Sequence, residues 1–252
     1  MKKLLRLWIK GLTFIIDYKK LKSLKKEYNQ FSALAGEKPR FAISWEDNYP
    51  CLYDKTSTTG FDRHYVFHPA WAARIIKKTN PEFHVDISST LYFCSLVSAF
   101  VPVKFYDYRP ADLKLSGLES NSADLTALHF ESNSIASLSC MHTIEHIGLG
   151  RYGDSIDYNG DLKAIAELKR VLAPNGNLLF VVPIGKAKIM FNAHRIYSYE
   201  QVLSYFSAYE LLDFSLIPDD EKDGGLLGNA TRAMADAQTY GCGCFWFKKP
   251  AD

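Results

Sequence analysis

The chain lacks the patterns that staple a small secreted fold. Its five cysteines (Cys51, Cys94, Cys140, Cys242, Cys244) are odd in number and form no C-x-x-C pair and no metal-ligand spacing. That argues against a disulfide framework or a cysteine-based metal site, and for free thiols in a reducing, cytoplasmic compartment. Internal repeats and low-complexity tracts are missing too. So is a large charge of one sign: the formal net charge is +2, and residues 1–31 hold nine Lys/Arg against two acids, leaving 21 against 26 for the remainder. A mildly acidic body disfavours nucleic acid as a partner, because neutralising phosphates takes a basic surface.

What is present suffices for one sizeable core plus an appendage: 252 residues, 47% of them hydrophobic. The appendage is N-terminal. Leu4, Leu5, Trp8, Leu12, Ile15 and Ile16 recur at helical spacing and run into Lys19, Lys20, Lys22, Lys25 and Lys26. Arg6 and Lys10 interrupt the apolar stretch, which is too short and too charged to span a bilayer, and no small-residue cleavage site follows. Two expectations stand side by side for residues 1–30: a basic amphipathic helix lying on an anionic membrane, or a helix packed on its own domain or on another copy of the chain. The spacing divides the chain into a helical extension over 1–35, an aromatic-rich flap and helix over 36–80, and an α/β domain over 81–252. In the middle part Trp45, Tyr49, Tyr53, Phe61 and Tyr65 are expected to pack as a flap on the core, and Pro69 to sit in the first turn of a helix over 68–78.

From residue 81 onward, short apolar runs alternate with helical stretches, the signature of a mostly parallel, doubly wound sheet with crossover helices. Strands are expected at 83–87, 103–107, 135–141 and 178–182, with two late ones at 209–217 and 243–248. Helices are expected at 91–100, 161–172 and 200–206. Open parallel sheets bind ligands outside the carboxyl ends of their strands, where strand order reverses. Asp86, Asp107 and Asp124 fall at or near such ends, although any one of them also suits a helix cap or turn. Cys242 and Cys244, two apart in a late strand, share one face, where a buried pair of small apolar residues is the simpler expectation.

The run HVDIS, FYDY, ADLTALHFESNSIASLSCMHTIEHI, ELKRVLAPNGNLLFVVP resembles the class I S-adenosylmethionine-dependent methyltransferases. HTIEHIGLGRYGD, FNAHRIYS and YGCGCFWF look more specifically like a methyltransferase-like family of unknown function. The resemblance covers about 61–248. It implies a Rossmann-like fold and S-adenosylmethionine as cofactor: Asp107 on the ribose hydroxyls, Asp124 and Leu125 at the adenine, and the turn from Asp86 through Ser88 and Ser89 at the methionine part. His142 would lie over the transferred methyl. His194 would serve as general base and Arg195 as an anion clamp near a small-molecule or glycan acceptor, whereas structurally Asn192 and His194 could cap the next helix and Arg195 pair with Glu200. His64, Tyr65 and His68 could line a lid or simply pack.

One departure from the family pattern keeps a second function open. Where such enzymes have a glycine-rich turn, this chain has Ser88-Ser89-Thr90, and each Cβ at a left-handed or closely approached position costs on the order of 1 kcal/mol and narrows the pocket. The alternative is a non-catalytic binding or scaffold protein that kept the fold and lost the cofactor. A third, a zinc hydrolase, comes from the match of HTIEH to H-x-x-E-H, which needs both histidines on one continuing helical face; the glycines at 148, 150 and 153 argue against it.

Overall fold

In the computed structural model, residues 2–37 and 39–251 are described, with side chains from residue 15 onward. Contacts divide the chain into Met1–Gly60 and Phe61–Asp252. Helix α1 (Lys2–Leu34) forms most of the first unit. The apolar face expected from Leu4, Leu5, Trp8 and Leu12 lies outside the described side chains, while Ile15 and Ile16 are exposed. Within this unit the aromatic segment folds back on α1. The Lys20 ammonium lies 3.5 Å from the Tyr53 ring centroid and Lys25 3.8 Å from that of Trp45, cation–π contacts each of about 0.5–1 kcal/mol at exposed sites. Trp45 and Tyr53 thus pack on α1, and Tyr49 is exposed. No helix among the described residues is long and apolar enough to cross a membrane.

The second unit takes in the helix that the sequence groups with the flap. Helix α2 spans Arg63–Thr79 because the Asp62 carboxylate accepts from the Tyr65 amide and so caps it. Pro69 is therefore inside the helix, not in its first turn. The sheet comprises β1 (His84–Ile87), β2 (Val103–Asp107), β3 (Leu118–Ser122), β4 (Ile135–Met141), β5 (Leu172–Ile184) and two late strands. A short hairpin of β6 (Lys188–Met190) and β7 (His194–Ile196) stands apart from it. Strands β8 (Glu210–Ile217) and β9 (Gly241–Lys248) complete the order β3-β2-β1-β4-β5-β9-β8. Strand β9 is antiparallel to both neighbours and the remaining pairs are parallel. Helix α3 (Leu91–Val97) follows β1 and α4 (Gly160–Val171) precedes β5. Helix α5 (Tyr199–Tyr205) starts on a Ser198–Gln201 capping box, and α6 (Arg232–Asp236) precedes β9.

Both faces of the sheet are covered, and the period-2 alternation of the strands sorts side chains between two cores. Leu178, Phe180 and Val182 join Ile165, Leu168, Phe245 and Phe247 on the α4 face. Leu179 and Val181 join Trp71, Ile75, Ile76, Phe93, Cys242 and Cys244 on the α2 and α3 face. The two cysteines share a face as expected, both buried among apolar groups. Truncating a fully buried ring such as Phe180 to alanine would cost about 3–5 kcal/mol.

Candidate functional site

Parallel register brings the strand ends level. Ile87 pairs with Tyr106 and with Cys140, and Asp107 pairs with Ser122, so Ser88, Asp107, Asp124 and His142 leave the sheet along one rim. Strand order reverses between β1 and β4, which places this rim at the switch point. A cavity of about 390 Å³ opens there, bounded on the sheet side by Ser88, Asp107, Asp124, Leu125, His142 and Thr143. Its far wall is the glycine loop between β4 and α4. Gly148 has φ +80°, and a Cβ built on it would lie 2.1 Å from the Asp157 carbonyl oxygen, so no other residue fits. The Asp154 carboxylate accepts from the amides of Gly148 (2.8 Å) and Tyr152 (3.2 Å), fixing that loop. Arg109 stacks on Tyr152, 4.7 Å from the ring centroid, and both line the cavity. No local pattern in the sequence marks that pair.

Asp107 Oδ1 accepts from the Arg109 amide at 2.7 Å, and Asp124 Oδ1 accepts from the Thr126 amide and hydroxyl at 2.8 and 2.7 Å. The second oxygen of each takes no hydrogen bond among the described residues and is available to a ligand. Asp86 is different. β1 ends one residue beyond it, so its carboxylate is wholly buried within the sheet, where it accepts from the Ser89 amide (3.0 Å), the Ser139 hydroxyl and the Cys94 thiol. Burial pushes its pKa up, and its role is to hold the turn from beneath. His84 completes this buried layer, with Ser137 and Ser139 hydroxyls at 2.7 and 2.8 Å, and burial pushes its pKa down to about 3.

Ser88 adopts φ +56° and His142 φ +55°. Two non-glycine residues in the left-handed region end adjacent strands, the sort of strain that persists where neighbours over-determine it. The Thr143 hydroxyl donates to the Ser88 carbonyl at 3.0 Å and ties the two turns together. Ser88 lines the cavity with its hydroxyl directed to the Tyr106 carbonyl at 3.3 Å; Ser89 does not line it.

His142 and Glu145 are buried and joined Nδ1 to Oε1 at 2.8 Å. Glu145 lies within a 3-10 turn, Ile144–His146, that begins two residues after His142, so His142 and His146 do not share a continuing helical face and the H-x-x-E-H zinc-hydrolase geometry does not form. His146 lines the cavity; its Nδ1 lies 2.6 Å from the Ala193 carbonyl. A carbonyl oxygen only accepts, so Nδ1 is the donor, and the neutral form of the ring then has its lone pair on Nε2. Around His142 stand His64, stacked at 5.3 Å, and His68, at 5.0 Å between ring centroids. Burial, with His142 adding to it, pushes the pKa of His64 down to about 4 and that of His68 well below its usual value.

The two residues expected from FNAHRIYS fare differently. His194, on β7, is part-buried against Tyr240 with its Nε2 unpartnered, and burial lowers its pKa. It borders the histidine cluster without lining the cavity. Arg195 is no anion clamp: it is 5% exposed and donates to the carbonyls of Ile147 (2.6 Å) and Tyr158 (3.1 Å), with Asp161 at 3.5 Å. Its fork is spent on the glycine loop and on α4. Neither Asn192 nor His194 caps α5, which Ser198 does, and Glu200 pairs with Arg232 instead of Arg195.

Strand order, rim and switch-point cavity define a class I methyltransferase fold, and solved structures agree. The N-methyltransferase NodS from Bradyrhizobium japonicum, in complex with S-adenosyl-L-homocysteine, superposes with a TM-score of 0.52 at 13% identity, covering 92% of this chain and 98% of that one. The 1,6-didemethyltoxoflavin-N1-methyltransferase from Burkholderia thailandensis, with bound 1,6-didemethyltoxoflavin and S-adenosylhomocysteine, gives 0.50 at 10%, covering 73% and 79%. Such identities speak for the fold alone. More particularly, residues 120–233 match the family described as "Caenorhabditis protein of unknown function, DUF268". Comparison with curated proteins gives no significant match.

Proposed function

We propose that the chain is an S-adenosylmethionine-dependent methyltransferase acting on a small molecule or glycan precursor. The observation that carries this is the pair of carboxylates, Asp107 and Asp124, each with a free oxygen, on one cavity with the Ser88 turn and the apolar Leu125. These groups fit the cofactor. Two carboxylate oxygens match a vicinal diol, an acid beside an apolar side chain suits an adenine with its exocyclic amine, and the Ser88 turn would face the methionine part. When bound, the cofactor supplies an electrophilic methyl on a sulfonium. The protein's share is to align that methyl with the acceptor and to exclude water, a matter of proximity more than of a nucleophilic triad. His146 lines the cavity with Nε2 3.8 Å from Glu145 Oε1; as a neutral imidazole it can take a proton from an acceptor hydroxyl, the carboxylate then holding the imidazolium.

A second reading draws on a specific feature. Ser88 lines the cavity where a glycine-rich turn would let backbone approach the ligand, which suits a binding or scaffold protein without cofactor. Calorimetric titration with S-adenosylmethionine and S-adenosylhomocysteine separates the two. Binding that falls at least about tenfold in Asp107→Ala, the effect of one lost charged hydrogen bond, with folding unchanged, supports the enzyme. No binding by the folded wild-type chain refutes it.

A further inference from the structure

Three segments far apart in sequence bring ligating atoms together beside the cavity: His64 from the first turn of α2, His142 just past β4, and Cys242 on β9. One ligand atom from each lies within 4.8 Å of the other two. His142 and Cys242 are buried and His64 is part-buried. Buried polar atoms need partners, yet His142 Nε2 and Glu145 Oε2 have none, and neither ring nitrogen of His68 does. His68 is fully buried, 5.0 Å between ring centroids from His142. A core that simply packed histidines would satisfy them or replace them with apolar groups.

We propose that His64, His142 and Cys242 bind a zinc-class divalent metal ion, with Glu145 positioning His142 from behind. Two imidazoles and a thiolate are the donors such an ion takes, at about 2.0–2.1 Å for nitrogen and 2.3 Å for sulfur. Tetrahedral placement at those lengths asks the three atoms, now within 4.8 Å of one another, to close by on the order of 1 Å. The 2.8 Å bond from His142 Nδ1 to Glu145 is what orients a metal-bound imidazole: the ring donates one N–H to a carboxylate and turns its other nitrogen to the ion. On binding, the Cys242 Sγ–H bond breaks, its proton leaves to the buffer and the Sγ–metal bond forms. Three protein ligands leave a fourth position open. Because His142 also lines the cavity, that position suits an oxygen or nitrogen donor of a small molecule entering there.

The test titrates the metal-free full chain with Co²⁺ and then with Zn²⁺ in competition with a chromophoric chelator. One equivalent of Co²⁺ should produce a thiolate-to-cobalt charge-transfer band with tetrahedral d–d absorption. Cys242→Ser should abolish the band and weaken Zn²⁺ at least about tenfold, whereas Glu145→Gln should keep the band and weaken Zn²⁺ about tenfold to a hundredfold. Cys51→Ser, which removes an exposed thiol, should change neither. If Cys242→Ser does not fold, His64→Gln, altering a part-buried residue, takes its place and should lose the tetrahedral spectrum. No charge-transfer band in the folded wild type, or a band that survives Cys242→Ser, overturns the proposal. Metal binding is read without cofactor, so its failure leaves the methyltransferase reading untouched.

Discussion

Replacing Arg195 with alanine separates a scaffold from a clamp. The guanidinium is 5% exposed, holds the Ile147 and Tyr158 carbonyls at 2.6 and 3.1 Å and faces Asp161 at 3.5 Å. Removing it leaves Asp161 buried with only the Tyr197 hydroxyl at 2.9 Å, and it frees two carbonyls that hold the far wall of the cavity to α4. Breaking a buried charge pair by deleting one partner costs about 3–5 kcal/mol. For a domain of this size each kcal/mol lowers Tm by about 2–4 °C, so a fall of roughly 6–20 °C is expected. Arg195→Lys keeps a charge near Asp161 but not the fork and should fall in between. Thermal melts followed by circular dichroism measure this, with S-adenosylhomocysteine titration on the folded fraction. A variant melting within about 2 °C of wild type yet losing affinity for an anionic acceptor would refute the reasoning and restore the clamp.

Two further outcomes follow from the buried layer and the strained turn. His84 has its pKa pushed down to about 3 by burial against an unfolded value of about 6.5, so the unfolded chain alone takes up this proton between those values, and the native state loses stability as pH falls from 6.5 toward 3. Relative to His84→Asn, which carries the same Asp86 contribution, the wild type should lose about 2 kcal/mol between pH 7 and pH 5; parallel denaturant curves for the two proteins at both pH values would sink this. Ser88→Gly relieves a left-handed residue, and should raise stability by about 1 kcal/mol and Tm by about 2–4 °C, against a reversal of sign if the Ser88 hydroxyl matters more than its backbone.

Strand positions near the core were legible because their signals are local. β2 and β4 fall at 103–107 and 135–141 as the apolar runs predict, and α4 is displaced by one residue. β3 was not legible as a strand: only Leu118 of LESNS is buried, so an edge strand made of polar residues shows no alternation. The hairpin of β6 and β7 is too short to leave a pattern. At the site, Asp86 and Asp107 look alike in sequence, since both close apolar runs. They part because β1 continues one residue past Asp86 while β2 stops at Asp107, and a single residue decides whether a carboxylate is inside the sheet or on its rim. The anchoring role of Arg195 is not legible in sequence because its acceptors are the carbonyls of Ile147 and Tyr158, which no spacing rule associates with it.

The same distinction bears on the two left-handed residues. Glycine at 88 and 142 would remove strain of order 1 kcal/mol each, yet the chain has serine and histidine there. Ser88 takes the left-handed form because its amide must reach the Tyr106 carbonyl at 2.7 Å while the Asp86 carboxylate draws in the Ser89 amide at 3.0 Å. His142 takes it because its amide closes on Val181 at 2.8 Å while Glu145 holds its ring at 2.8 Å. In each case bonds on both sides of the residue over-determine the backbone, so the strain can persist without a benefit to the core. What His142 gains by not being glycine is a buried ring with one nitrogen on Glu145 and the other without a partner, within 4.8 Å of ligating atoms of His64 and Cys242, which makes this strained position an expense that packing alone does not explain.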